Sequence, residues 1–182
     1  MKSPKDVVAQ QDASVPEDAV AGVLRQWAAV RPDMDLAPIA VLGRINRCAA
    51  LLQRVTDGPL GRAELSRPEF DLLSALRRVG GELTPSRLAR ETFASPAAVT
   101  KRVRGLEQRG LVERRADNRD RRIAHLTLTD AGRDLIDRIM PQQLSYERAL
   151  LSRLPGPEQA DLARILGDLL LLLEGQLGSF DY

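Results

Sequence analysis

The sequence predicts a mostly α-helical chain with one small antiparallel β-hairpin, the hairpin and its neighbouring short helices being set inside a longer helical frame. Three observations predict it. Apolar residues recur every three or four positions through most of the 182 residues. Two hydroxyl-then-proline pairs, Thr84-Pro85 and Ser95-Pro96, write two helix starts in quick succession. After Gly110 the apolar period changes from helical to alternating.

The length suits one ordinary domain or a small domain within a helical frame. Residues 1–16 are polar and without periodicity and read as a mobile N-terminal tail. Residues 17–65 then supply N-terminal helices of the frame. Val20, Val23, Leu24 and Trp27 mark the first, which Arg31-Pro32-Asp33 stops, because the residue before a proline resists the α region. Ile39, Leu42, Ile45, Ala49, Leu52 and Val55 mark a second over residues 38–57, ended by Gly58-Pro59.

Residues 66–129 form the inner unit. Ser66-Arg67-Pro68-Glu69 offers a cap hydroxyl and, three residues on, a carboxylate to answer it. The helix that follows carries Phe70, Leu72, Leu73, Leu76 and Val79 and closes at Gly80-Gly81. A short helix runs from Thr84-Pro85 to about residue 91. Another runs from Ser95-Pro96 to about residue 109, with Val99, Val103 and Leu106 as its apolar stripe and Gly110 as its stop. Alternation through residues 111–115 and 123–128 predicts a hairpin whose polar turn spans residues 116–122. The C-terminal helices occupy residues 130–178. Thr129-Asp130 caps the first, Met140-Pro141 interrupts and bends it, and Pro155-Gly156-Pro157 separates it from the last. Leu162, Ile165, Leu166, Leu169, Leu170, Leu173 and Leu177 stripe that last helix, and taken alone they serve equally as monomer core or as a subunit interface.

Charge is unevenly placed. Between residues 84 and 122 lie eleven of the 27 Lys and Arg but five of the 25 Asp and Glu, so a basic block sits in an acidic frame. That is the footprint of a phosphate-binding module. With Val99, Val103 and Leu106 inward, the opposite face of their helix presents Ser95, Ala97, Ala98, Thr100, Lys101, Arg102 and Arg104. Small residues at its start let the backbone approach base edges in a major groove about 12 Å wide, and the cations supply base or phosphate contacts. Cations on one helix are also what any solvated face carries. The hairpin tip decides the reading toward double-stranded DNA, because it gathers Arg119, Arg121 and Arg122 around Asp120, a set suited to a narrow minor groove.

These stretches resemble the MarR family of winged helix-turn-helix regulators. The likeness is carried by Leu83-Thr84-Pro85 with Leu88-Ala89, by Ser95 through Thr100-Lys101-Arg102-Val103, and by Leu106-Glu107-Gln108-Arg109-Gly110-Leu111-Val112. Asp117-Asn118-Arg119-Asp120-Arg121-Arg122 and Leu126-Thr127-Leu128-Thr129 with Gly132 complete it. The resemblance implies a homodimer with intertwined terminal helices, a pseudo-palindromic operator, and transcription regulation, usually repression. Trp27, Asp71 and Arg102 further resemble residues of the branch that answers urate or related small anions, which implies a small-molecule effector site there, anionic or phenolic in its ligand. Effector-free architectural or protein-interaction roles for the same fold stay open.

Other chemistry finds little support. One cysteine, Cys48, excludes an internal disulfide or a thiolate cluster, and it reads as a buried small hydrophobe unless Arg44 and Arg47 face it and make it a thiol sensor. The lone His125 sits in the second hairpin strand and is expected to face solvent or DNA rather than a metal. No nucleophile elbow, glycine-rich phosphate loop or metal-ligand spacing is present in the sequence. The expectation is a cytoplasmic protein that is not an enzyme, with no cofactor, no metal and no membrane segment.

Overall fold

A computed structural model describes residues 17–54, 58–117 and 123–177. They fall into two compact units that divide after Arg54. The N-terminal unit holds α1 (Ala19–Val30) and α2 (Ala37–Arg54). Asp18 caps α1, its carboxylate accepting from the Val20 and Ala21 amides at 2.8 and 3.0 Å and from Arg44 of α2 at 2.9 Å. Those backbone donors and that guanidinium hold its pKa below the ordinary carboxylate value. Within this unit Val20 is buried and packs against Gly43, where an added Cβ would meet Val20 Cγ1 at 3.2 Å. Cys48 is exposed, not buried as its apolar neighbours suggested, because α2 turns that side away from the α1 contact; Arg44 is committed to Asp18. Val23, Trp27, Leu42, Leu51 and Leu52 are likewise exposed.

The second unit runs α3 (Pro59–Arg62), α4 (Arg67–Val79), α5 (Pro85–Glu91), α6 (Pro96–Gln108), β1 (Val112–Ala116), β2 (Ala124–Leu128), α7 (Asp130–Leu151) and α8 (Gly156–Leu177). Gly58 caps α3, whose Pro59 and Leu60 are buried. The cap of α4 is reciprocal, the Ser66 amide donating to Glu69 Oε2 at 2.8 Å while Ser66 Oγ accepts from the Glu69 amide. Gly80 closes α4 at φ 71, in the left-handed region that costs glycine least. The hairpin is antiparallel, with Val112 opposite Leu128 and Ala116 opposite Ala124. A single bridge, absent from the sequence expectation, ties Leu83 to β2 through Leu126, the two residues exchanging backbone hydrogen bonds at 3.0 and 2.8 Å.

Leu72, Leu73, Leu83, Leu88, Val99, Leu106, Leu126 and Ile136 are almost wholly buried, so α4, α5, α6, the hairpin and α7 share one core. α7 is continuous through Pro141 rather than interrupted there. The proline removes one helical hydrogen bond, but buried Ile136 and Ile139 before it and buried Gln143 after it keep both halves seated on the core. Arg77 of α4 grips Asp137 of α7 with two contacts of 2.8 and 3.0 Å, which holds the Asp137 pKa below its ordinary value. Among the described residues no helix is long and apolar enough to cross a membrane, and no cluster of His, Cys, Asp and Glu is arranged to hold a metal.

The start of α7 locks the hairpin in place. Thr129 Oγ1 accepts from the Gly132 amide at 3.0 Å and donates to the Gly110 carbonyl at 2.7 Å. Gly132 lies so close to the Leu111 backbone that an added Cβ would sit 2.0 Å from its carbonyl oxygen. Gly132→Ala therefore forces α7 off the hairpin base and is expected to cost about 2–4 kcal/mol, read as a lower urea midpoint with unchanged slope. An unaltered midpoint would show that this approach is not needed.

Candidate nucleic-acid interface

The second helix of the helix-turn-helix is fixed at both ends. At its start Ser95 Oγ accepts from the Ala98 amide at 3.3 Å, and Pro96 takes a first-turn position where no amide hydrogen is needed. At its end the Arg109 guanidinium donates to the Ala63 carbonyl at 3.3 Å and lies 3.7 Å from Glu69, the capping carboxylate of α4. Val99, Val103 and Leu106 are buried, so the helix cannot roll about its axis without exposing them.

The other face is then fixed by geometry. Ala97, Thr100, Lys101 and Arg104 are exposed, and Ala98 and Arg102 are partly so. Thr100 is exposed and spends its hydroxyl hydrogen on the Pro96 carbonyl at 2.9 Å. Among the described residues Lys101, Arg102 and Arg104 have no carboxylate partner. The scaffold cations differ: Arg67 pairs with Asp71 and Glu147, Arg77 with Asp137, and Arg78 with Glu91. Cations left unpaired on a face that the core holds outward are suited to phosphate oxygens and base edges.

The expected tip residues Arg119, Asp120, Arg121 and Arg122 lie outside the described residues. The base of the hairpin is described, and it holds a polar cluster that sequence reasoning did not find. His125 is partly buried rather than facing solvent, with Nε2 at 2.9 Å from Asp117 and Nδ1 at 3.4 Å from Glu82. Arg115 also pairs with Glu82. Glu82 precedes the Leu83 segment, so the cluster ties both hairpin strands to the connection before α5. The signal available in sequence was weak, since Glu82 and His125 are 43 positions apart and only the Leu83–Leu126 pairing brings them together. Arg114 on β1 is a further exposed cation without a partner among the described residues.

The three residues expected to handle an effector are placed differently. Trp27 belongs to the N-terminal unit and is 44% exposed. Asp71 accepts from Arg67 at 2.9 Å and lines a cavity of about 350 Å³ bounded by α4, α7 and the turn between α5 and α6. Arg102 is not among the residues that line it.

Comparisons with known proteins agree with this architecture. A family model described as the MarR family matches residues 63–123. The HTH-type transcriptional regulator PecS of Dickeya dadantii is 34% identical over 150 residues, which is 81% of this chain and 90% of that protein. The HTH-type transcriptional repressor Rv2887 of Mycobacterium tuberculosis is 34% identical over 134 residues, 73% of this chain and 96% of its own length. Among solved structures, the organohalide-sensing regulator RdhR-CbdbA1625 matches with a TM-score of 0.69 at 22% identity, over 76% of this chain and 81% of that one. That likeness shows a shared fold. RdhR-CbdbA1625 has also been solved with 2,4-dichlorophenol bound.

The start of the exposed helix yields a direct test. Ser95→Ala removes the cap that orders its first turn and is expected to cost about 1 kcal/mol in urea denaturation. Ser95→Asp, which keeps an acceptor, is expected to restore most of that loss. Equal midpoints for all three proteins would mean the cap does not fix the helix.

Proposed function

Because this chain belongs to the MarR family, we propose that it is a homodimeric repressor that holds a pseudo-palindromic operator in the cytoplasm and releases it when a small molecule binds. Family membership makes it a DNA-binding transcription regulator and not an enzyme. The observation that carries the finer reading is the outward face of α6, where Lys101, Arg104 and the partly exposed Arg102 have no carboxylate partner among the described residues, beside Ala97, Ala98 and Thr100. In this reading α6 lies in the major groove with Ser95 near the backbone. The hairpin lies across the adjacent minor groove through Arg119, Arg121 and Arg122, with Asp120 orienting the guanidinium groups.

A dimer is supported by apolar surface that the single chain leaves uncovered. On α8, Leu162, Ile165, Leu166, Leu170 and Leu173 are all exposed, at a spacing that places them along one side of the helix. A soluble chain rarely shows so continuous an apolar surface to water, and a second copy supplies the same stripe in return. Pairing also sets two α6 helices at the separation of successive major grooves, about 34 Å. Repression is supported by the relative Rv2887, named as a repressor, and small-molecule control by the 2,4-dichlorophenol complex of RdhR-CbdbA1625.

Two outcomes follow. Replacing Lys101, Arg104, Arg119 or Arg121 singly by Ala is expected to weaken operator binding by about 1–3 kcal/mol and to lower the salt slope by about one counterion where a phosphate contact is lost, with the thermal midpoint unchanged. Anisotropy titrations at several salt concentrations check this, and full affinity in all four variants would remove the assignment of these faces. Ending the chain before Glu158 deletes most of α8 and is expected to give monomers or aggregates in light scattering. A well-behaved truncated dimer would place the interface elsewhere.

A further inference from the structure

The hairpin is held on one side by the core and on the other, among the described residues, by a single carboxylate. On the inner side Leu126 is buried, and its amide and carbonyl both bond to Leu83. The outer side carries a line of polar side chains. Thr127 donates to Glu113 at 3.0 Å, Arg115 and His125 stand opposite one another in the strand register, and His125 Nε2 lies 2.9 Å from Asp117. Glu82 is the one described member of this line that the hairpin does not itself supply. It pairs with Arg115 of β1 and lies 3.4 Å from Nδ1 of His125 on β2.

Glu82 is a fixed point. It comes two residues after Gly80, whose left-handed turn closes α4, and directly before Leu83, which is fully buried and bonded in both directions to Leu126. A carboxylate on that backbone gives the two strands one common reference. Both nitrogens of His125 face carboxylates, which only accept, so a ring carrying hydrogen on each donates to Glu82 and Asp117 together. The Glu82 and Arg115 side chains are 37% and 68% exposed, so their pairing adds little to stability and its consequence lies in direction. A tilt at residues 115 and 125 is carried outward along each strand at about 3.3 Å of rise per residue.

We propose that Glu82 is a positioning residue for DNA binding: by holding Arg115 and His125 it fixes the angle at which the hairpin meets the duplex beside α6. The proposal rests on the reading of α6 and the hairpin as the DNA contacts and names the residue that sets one against the other. A plain surface carboxylate would act in the opposite direction. It is repelled by a polyanion, so its removal strengthens binding and also frees Arg115 for phosphate. The two roles therefore differ in the sign of their effect.

The test measures operator affinity by anisotropy on the full chain, with urea midpoints as the check on the fold. Glu82→Gln is expected to weaken operator binding about fivefold with the midpoint unchanged. Glu113→Gln removes the same charge from the same side of the hairpin but no tie to the core, and is expected not to weaken binding. A double-mutant cycle locates the effect: the loss in Glu82→Gln largely vanishes once Arg121→Ala has removed a hairpin contact, and adds in full to that of Lys101→Ala on α6. His125 is the only histidine in the sequence, so its ring nitrogens give one pair of NMR resonances, which Glu82→Gln is expected to shift and Glu113→Gln to leave in place. Should Glu82→Gln lower the midpoint, His125→Asn reads the same tie from the other strand, and the same weakening is expected. Unchanged or tighter operator binding by these variants, equal additivity with Arg121→Ala and Lys101→Ala, or an unmoved His125 signal overturns the proposal. Arg121→Ala with full affinity would remove the hairpin from the DNA reading and this proposal with it, whereas a loss there with none in Glu82→Gln removes this proposal alone.

Discussion

Burial of Val99, Val103 and Leu106 against the core is the interaction on which the rest of the second unit depends. Each is almost completely removed from water, and together they represent several kcal/mol of transfer free energy. That commitment fixes which side of α6 looks outward. The same core also seats Leu83 and Leu126, so the rotation of α6 and the root of the hairpin are set by one packed cluster. The proposed DNA contacts on α6 and the hairpin need this, because contacts made from two elements are useful only when their separation does not drift.

Ion pairing divides the cations by task. Arg67, Arg77 and Arg78 tie α4 to itself, to α7 and to α5, and each is matched by a carboxylate. These pairs are partly exposed, so they orient the helices more than they stabilise them. The cations of α6 have been left without such partners among the described residues, which keeps their charge available. At the hairpin root Glu82 serves Arg115 and stands near His125, while Asp117 takes the other imidazole nitrogen, so the strands leave the core in one direction.

Much of this was legible in the sequence because the punctuation is local. Ser66, Thr84, Ser95 and Thr129 each accept from an amide three residues on, and a hydroxyl followed by Pro or an acidic residue announces that geometry within four positions. Gly80 and Gly110 mark left-handed stops for the same reason. What escaped was set at longer range. The Leu83 segment joins the hairpin across 43 positions, and α7 continues through Pro141 because packing on both sides of it outweighs one lost hydrogen bond. α3 is a single turn with too few residues to show a period. Among the candidate site residues, periodicity placed Lys101 and Arg104 correctly on the outer face of α6. It had no means of separating Asp71, which lines a cavity, from Arg102, which does not.

The uncovered apolar face of α8 and the fixed outward face of α6 are two halves of one account, in which a second copy of the chain supplies both the missing cover and the second reading helix. Hydroxyl-radical footprinting on the DNA upstream of the protein's own coding sequence tests this most directly. The account predicts two protected backbone patches on one side of the duplex, with centres about 10–10.5 base pairs apart and related by approximate two-fold symmetry. A single patch, or uniform protection without a preferred sequence, would contradict it.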